Sequence, residues 1–475
     1  MADRESNVEL MRKLYSKLSE LLYVDTGAVQ VAGSYLSLYP AGGMLLDPTV
    51  DPMKPEGRAL IIRALADIRL RESWITTRQP SPMSAVYRSI LRDKKTPNYS
   101  LTKDQEILFN ELDKKLFTKD RDFTPLYETF RNARGKLAEA ITAIETWQNA
   151  NPNDSVPNTL QQQLVIATED YNNKAKGPTV QQYINKHTEL QNLRGSSWFN
   201  DLQEIFNKNF VVRGNYGQTY FYPTYSEWFK ADQTWTKITA SARDFEQQTH
   251  NSNTSSGAGL SVSWGLWSVG GKYSKDMTES FQQTTISNLL LEFEVLPVNI
   301  DFPWMDFGLF HSRAWDWNGT GEYDHDQPIS DGKYDPNSPV AERELLPFVP
   351  TTLLIARNVK LSADWSFDLE HFIQTCEGGG GSIGWGPFSF GGRSFHQDTS
   401  TYKVAKAQGT SVTFTHPQVI GYFSALVPKS PNPDPHLPWG DKLLDKSITS
   451  SFLKDGYSTE ILDHANRLLS SLKIK

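Results

Sequence analysis

Cysteine is almost absent from this chain of 475 residues: Cys376 is the single one, so no internal disulfide framework can hold the fold together. Long apolar runs are also missing. No window approaches the roughly 18 uncharged apolar residues of a membrane-spanning helix. Residues 1–24 lack the uninterrupted apolar core of a secretory signal peptide. We therefore expect a protein that is soluble in the cytoplasm as synthesised, with any later release following a non-classical route.

Basic runs and catalytic motifs are scarce as well. The chain carries 48 basic and 55 acidic residues without a long basic stretch, so nucleic acid is not an expected partner. The histidines are scattered and show no close metal-binding spacing. Residues 380–384 match G-x-S-x-G, but that elbow needs a following helix, and Trp385-Gly386-Pro387 disfavours one. The sequence therefore predicts no enzyme and requires no cofactor.

Aromatic residues are plentiful, and their distribution divides the chain. Helical spacing dominates residues 1–210, which we expect to be mainly helical, with a long helical hairpin at about 124–194. Residues 211–430 are rich in Ser, Thr, Trp and Gly and predict a mainly antiparallel β region. Residues 431–475 predict a tail with an amphipathic helix. The expected fold class is α+β, with an internal duplication in the β region.

Apolar spacing locates the clearest elements. Thr124 and Pro125 form a plausible helix start, followed by apolar residues at steps of three and four. These are Leu126, Phe130, Ala133, Leu137, Ile141 and Ile144. Residues 1–24 and 458–472 show similar stripes and predict amphipathic helices. In residues 285–296 the apolar residues alternate instead, which predicts a half-buried strand. Its inward face is expected to hold Leu289, Leu291, Phe293 and Val295.

The strongest signal is an internal repeat. Residues 261–272 read SVSWGLWSVGGK and residues 382–393 read SIGWGPFSFGGR; we call these the first and second Trp/Gly segments. Half of the aligned positions are identical, including one tryptophan and three glycines. The likeness extends outward and defines two modules, about 236–300 and about 359–420. We expect them to be related by a pseudo-twofold axis.

The Trp/Gly segments are the main candidates for contact with a membrane or another subunit. Their aromatic and basic residues are Trp264, Trp267, Trp385, Phe388, Lys272 and Arg393. Polar arms surround them, a layout also found in pore-forming β toxins, in which polar arms carry an apolar tip. Two other interpretations stay open: pairing with a neighbouring subunit, or ordinary strands whose aromatic rings fill the core.

The bridge between the modules holds two further candidate sites. An aromatic cluster could form a platform for a sugar or a lipid headgroup, or could pin the bridge to the sheet; its residues are Trp304, Trp315, Trp317 and Arg313. An acidic stretch could supply oxygen ligands to Ca²⁺, or could be a solvated loop. Its candidate ligands are Asp324, Asp326, Asp331 and Asp335.

Together these features predict a non-enzymatic protein that associates with itself. A membrane-active, pore-forming-toxin-like role through the Trp/Gly segments is the first hypothesis. A structural subunit of a large homo-oligomeric assembly is the alternative, and a glycan-binding module is the third. The expected partners are accordingly other copies of the chain, and membrane lipid or glycan under the first and third hypotheses.

Overall fold

A computed structural model describes most of the chain. The described residues are 34–39, 42–70, 81–97, 101–119, 123–150, 155–194, 196–230, 235–241, 267–269, 288–319, 321, 323, 326–333, 343–365, 368–378, 382–396, 403–435, 437, 439 and 460–472. The fold class is α+β, as predicted, with helices and extensive antiparallel sheet. The predicted helix at 1–24 lies outside the described residues.

Ten α-helices occur among the described residues. They are α1 (Pro55–Leu65), α2 (Met83–Asp93), α3 (Lys103–Leu116), α4 (Pro125–Ala150), α5 (Asn158–Glu169), α6 (Gly177–Leu193), α7 (Ser196–Asn209), α8 (Gly308–His311), α9 (Leu369–Gly378) and α10 (Glu460–Ser471). A π-helical turn, Asp170–Lys174, ends α5, and a 3₁₀ helix covers Tyr225–Phe229. In this part of the chain, no helix combines the length and apolar character needed to cross a membrane.

Most of the described strands follow residue 209. They are β1 (Ser34–Leu38), β2 (Met44–Leu45), β3 (Lys94–Lys95), β4 (Phe210–Val211), β5 (Tyr216–Gly217), β6 (Tyr220–Tyr222), β7 (Thr236–Ser241), β8 (Trp267–Val269), β9 (Leu290–Asp301), β10 (Asp316–Trp317), β11 (Phe348–Ser362), β12 (Ile383–Trp385), β13 (Phe388–Gly392), β14 (Lys403–Val404), β15 (Lys406–Gln408), β16 (Ser411–Phe414) and β17 (Gln418–Leu426).

Nine of these strands form a central antiparallel sheet around the long strands β9 and β11. β9 pairs with β11 on one side and with β6 and β7 on the other. The far side of β11 pairs with β17 along its first part and with β16 near its end. β1 and β2, from the N-terminal part of the chain, pair with β17, so the sheet draws on both ends of the sequence.

A small sheet, in the order β14-β13-β12-β8, packs on one face of the central sheet. The apolar layer between the two sheets holds Phe293, Leu361, Trp385, Phe388 and Val412, among others. On the opposite face, α1, α2, α7 and the aromatic bridge cover only part of the central sheet. The helices therefore cover one face at the end of β9 and the start of β11, and the small sheet covers the other face where β9 begins and β11 ends.

The predicted helical hairpin is present as α4, α5 and α6. The Thr124 hydroxyl accepts a hydrogen bond from the Tyr127 amide at 3.3 Å, so Thr124 caps α4 as expected. The predicted inward stripe is buried at Phe130, Leu137 and Ile144. The C-terminal helix α10 contributes Ala465 to the same core, which makes the helical unit a small bundle.

Candidate functional site

Two strands of the central sheet end, and two begin, at residues that pair with one another across the sheet. Ser241, the last residue of β7, pairs with Leu290, the first of β9. Leu290 also pairs with Ser362, the last residue of β11, and Ser362 pairs with Ser411, the first of β16. The segment between β7 and β9 and the segment between β11 and β16 therefore start and finish at the same end of these four strands. We call residues 242–289 the first insertion and residues 363–410 the second insertion.

The two insertions match each other closely in layout. They have the same length, and each Trp/Gly segment begins at the same position within its insertion. Each insertion joins two neighbouring antiparallel strands, β7 to β9 and β11 to β16. The Trp/Gly segments thus belong to connections between strands that are already paired in the sheet.

The order of the four strands differs from the twofold arrangement expected from the sequence. A twofold axis between the modules would set like strands side by side. Instead β9, the second strand of the first module, lies against β11, which opens the second module. The small sheet repeats this order, because Trp267 of the first Trp/Gly segment pairs with Trp385 of the second. The modules therefore follow one another head to tail.

The second Trp/Gly segment is buried. Trp385 and Phe388 are at most 1% exposed, and the Phe388 ring lies 5.0 Å from that of Phe293 on the central sheet. These two aromatic residues are thus core residues in this structure rather than a ready membrane or subunit contact, because the central sheet covers them. Arg393 is exposed where the segment ends, while Trp264 and Lys272 lie outside the described residues.

Polar contacts fasten the second insertion to the central sheet. The Gln418 side chain lies between the sheets and bonds the Ser389 backbone twice, accepting from its N–H at 2.5 Å and donating to its carbonyl at 3.1 Å. The Ser394 hydroxyl donates to the Asp47 carboxylate at 3.0 Å. Burial works to raise the pKa of Asp47, but hydrogen bonds from Thr49 and Ser394 outweigh it and lower the pKa. Asp47 is therefore held as a buried anion.

Among the described residues, the face of the sheet opposite the small sheet carries alternating charges beside the insertions. The Glu292 carboxylate lies 3.2 Å from the Lys360 ammonium and 3.6 Å from that of Lys237. The hydrogen bond from Lys360 is the largest effect lowering the pKa of Glu292. Next to them, Arg357 donates to Glu294 at 2.6 Å and stacks on the Trp235 ring. This surface is polar across the strands that bear the insertions.

The aromatic residues of the bridge do not form a recognition surface in this structure. Trp304, Trp315 and Trp317 are at most 1% exposed, because α2, α7 and the central sheet enclose them. The indole N–H of Trp315 donates to the Leu309 carbonyl, and that of Trp317 to the Gln327 carbonyl. These three residues pin the bridge to the sheet, which was the structural alternative. Rings at most 1% exposed cannot offer a face to a sugar or a lipid headgroup, so the predicted platform is not formed by these residues in this structure.

Arg313, Asp326 and Asp331 are engaged in protein contacts. Arg313 lies 3.7 Å from Asp434, and Asp326 accepts from Arg343 at 2.7 Å. Asp331 lies beside the buried carboxyl of Glu344, while Asp324 and Asp335 lie outside the described residues. In the ranges that the structure describes, no three His, Cys, Asp or Glu side chains form a group that could hold a metal.

Ser382 stands between a helix and a strand, α9 before it and β12 after it. A nucleophile elbow needs the reverse order, a strand followed by a helix. The described part of the G-x-S-x-G match, Ser382 to Gly384, therefore leads directly into strand β12 of the small sheet.

Gln418 and Asp47, which hold the second insertion, are not among the residues predicted from the sequence. Both contact residues far away in the chain, Ser389 and Ser394, so no local pattern marks them. The aligned position in the first module, counted from Pro297 and Pro417, is Val298, which cannot make the Gln418 hydrogen bonds. The difference between Gln418 and Val298 at this aligned position is the sequence feature that could have drawn attention to Gln418.

Comparisons with known proteins return no match. No family model, no curated protein and no solved structure matches this chain.

Proposed function

We propose that this is a non-enzymatic, self-associating protein that acts on membranes by extending its two insertions into β-hairpins. The observation that carries this proposal is the shared row of strand ends at Ser241, Leu290, Ser362 and Ser411. Both insertions leave from that row between strands that are already antiparallel neighbours. Extension of the insertions would lengthen the strand pairs β7–β9 and β11–β16 that already exist. The order of the strands in the sheet would not have to change.

The insertions are long enough for this role. A tilted membrane-spanning strand needs about 9–11 residues. Half of residues 242–289, or half of residues 363–410, exceeds that length, so each insertion can form two spanning arms and a tip. Trp264 and Trp267 in one insertion, and Trp385 and Phe388 in the other, would supply apolar and interfacial side chains to these arms.

The strands below the insertions have the two-faced character of a barrel wall. Ala240, Leu291, Leu361 and Val412 lie in one row across the four strands and are all buried against the small sheet. The next row, Thr239, Glu292, Lys360 and Thr413, is polar and points to the uncovered face. An extended sheet with this alternation would present one face to water and the other to lipid.

The number of strands that each chain could contribute to a barrel is the reason for proposing self-association. Each chain contributes four such strands, whereas closed transmembrane barrels have about eight or more. The four strands lie in the order β7, β9, β11, β16, so each module presents its last strand to the first strand of the next. The same contact could join two chains, with β7 of a neighbouring chain pairing with β16. Among the described residues β7 pairs with β9 alone, whereas β15 covers β16. Repetition would therefore require β15 to leave β16.

A lipid-independent assembly subunit is the second candidate. The same head-to-tail order would build rings or filaments through strand pairing alone. Electron microscopy with and without liposomes separates the two functions. Rings confined to lipid favour the membrane-active function, and ordered assemblies without lipid favour the structural one.

A reversible disulfide tests the membrane proposal directly. Leu45 in β2 and Ser394 in the second insertion are direct partners in a parallel β-bridge, a separation that a disulfide can span. The variant is Leu45→Cys with Ser394→Cys in a Cys376→Ser background. We expect the oxidised variant to release no dye from liposomes and the reduced variant to release it, since only reduction frees the insertion.

The control is Leu45→Cys alone in the same Cys376→Ser background, which should respond equally to both redox conditions. Equal dye release by the oxidised and reduced double variant would contradict extension of the second insertion. Absence of release by the unmodified protein across anionic, neutral and sterol-containing vesicles, at acidic and neutral pH, would overturn the membrane proposal itself.

A further inference from the structure

β15 lies on the sheet edge at which β7 of a second copy of the chain would pair. One row of paired residues crosses the strands β7, β9, β11, β16 and β15 as Ala240, Leu291, Leu361, Val412 and Ala407. The next row begins with Thr239 of β7 and ends with Lys406 of β15. Because every neighbouring pair in this series is antiparallel, β15 runs in the same direction as β7. β15 therefore has the place, direction and register that β7 of a second copy would take on β16.

The contact of β15 with β16 is smaller than the contact that β7 could make. β15 pairs through three residues, whereas β7 pairs through six residues with β9. Two positions before the shared alanine of the apolar row, β7 carries Ile238 and the β15 segment carries Ala405. The larger side chain would bury more apolar area beside Phe414. Pairing with a second copy would therefore exchange a short cover for a longer and more apolar one.

β15 is continuous with the small sheet. β14, at Lys403–Val404, pairs with β13 at the edge of that sheet. The Ala405 amide then donates to the Phe390 carbonyl at 2.8 Å, and the chain joins β16 as β15 from Lys406 onward. A single residue thus separates the strand of the small sheet from the strand of the central sheet. Displacement of β15 would pull directly on β14.

The turn between β15 and β16 is held by the first part of the second insertion. The Gly409 amide donates to the Glu370 carboxylate of α9 at 3.0 Å. The Trp365 indole N–H donates to the Thr410 carbonyl at 2.7 Å, and the Ala363 amide donates to the same carbonyl at 3.3 Å. All of these groups lie within residues 363–410. The cover on β16 therefore depends on how the second insertion is folded.

We propose that β15 closes β16 to a second copy of the chain, and that its displacement couples assembly to release of the second insertion. β7 of the arriving copy would replace β15 on β16. The displaced strand would draw β14 away from β13 and so open the small sheet at its edge. Each chain would be converted as the next one binds to it. This inference rests on the proposed self-association and adds its regulation.

A disulfide lock tests the link between β15 and the small sheet in solution, without lipid. Lys406 and Thr413 are direct partners in an antiparallel pair, at a separation that a disulfide can span. The lock is Lys406→Cys with Thr413→Cys in a Cys376→Ser background. We expect amides of 388–392 to exchange about tenfold more slowly in the oxidised lock than in the reduced one, within the usual range of a disulfide constraint.

Lys406→Cys alone in the same background is the control and should exchange equally in both redox conditions. Equal exchange of 388–392 in the oxidised and reduced lock would show that β15 and the small sheet open independently. That result would overturn the coupling.

Glu370→Ala tests the same link in the opposite direction. Loss of the hydrogen bond to Gly409 should speed exchange about threefold, both at 403–408 and at 388–392. Gln374→Ala, at an exposed position of the same helix, is the matched control. Faster exchange confined to 403–408 would contradict the coupling.

Chemical crosslinking on vesicles tests the role of β15 as a cover. The oxidised lock should stay monomeric and release no dye, while the reduced lock assembles and releases it. Assembly of the oxidised lock to the same extent as the reduced one would overturn this role. Absence of assembly by both the unmodified protein and Glu370→Ala would overturn it together with self-association. Assembly without dye release by the unmodified protein would contradict the membrane function alone.

Discussion

The two ends of the central sheet are built from the same long strands yet differ on one face. Toward the end of β9 and the start of β11, Val298, Leu353 and Ile355 pack against the helices and the buried tryptophans of the bridge. We call this the anchored half. In the insertion half, at 290–295 and 356–362, that face carries Glu292, Lys360 and Arg357 instead.

Under the proposed function, the anchored half would stay in place while the insertion half rearranges. The anchored half packs on one face against the helices and the buried tryptophans, so its strands cannot separate from that cover without losing a large apolar core. In the insertion half, the apolar face shares its core with the small sheet and α9, and the second insertion supplies α9 and three of the four strands of the small sheet. Removing that cover would leave the four strands paired but their apolar face exposed.

The largest effect is expected in the anchored half. Trp304→Ala removes a ring that packs on Tyr87, Phe206 and Phe302, and should lower the free energy of unfolding by about 3–5 kcal/mol. Trp235→Ala, at the partly exposed ring under Arg357, should cost clearly less. Chemical denaturation of both variants measures the contrast, and equal losses would remove the distinction between the halves.

An intermediate effect is expected at the fastening between the sheets. Gln418→Leu removes both hydrogen bonds to the Ser389 backbone and should cost about 1–3 kcal/mol, since buried polar groups lose their partners. It should also speed dye release by loosening the second insertion. Gln408→Leu, at an exposed position on β15, is the control. A slower release by Gln418→Leu would contradict the fastening role.

The smallest effect is expected on the charged face. Glu294→Gln breaks the ion pair with Arg357, whose side chains are 29% and 21% exposed, and should change stability by no more than about 1 kcal/mol. The change should shrink further in high salt, because solvent ions screen the pair. A salt-independent loss of several kcal/mol would show that this face is part of the core and that the two halves are alike.

Local spacing of apolar residues correctly predicted strand β9 and helix α4. The alternation of Leu289, Leu291, Phe293 and Val295 placed β9 and its buried face, because period-two spacing is a direct consequence of strand geometry. The spacing around Phe130 and Leu137 identified α4 in the same way. The outer likeness of the modules also marked strand segments that lie side by side in the sheet.

Contacts between residues far apart in the chain could not be predicted from the sequence. Composition could not say whether Trp385 or Trp304 would be covered, since aromatic residues occur both in cores and at binding surfaces. Each is buried by elements far along the chain. The partners of Gln418 and Glu344 likewise depend on how the strands are ordered, and the head-to-tail order itself differs from the expected twofold axis.

Hydrogen exchange with and without liposomes tests the central claim most directly. On vesicles that support dye release, amides of 267–269 and 382–392 should exchange faster at first, as the small sheet leaves the central sheet. Amides of 296–301 and 348–355 should keep their protection. Loss of protection in the anchored half, or an unchanged small sheet during dye release, would contradict the division of the sheet into an anchored and a convertible half.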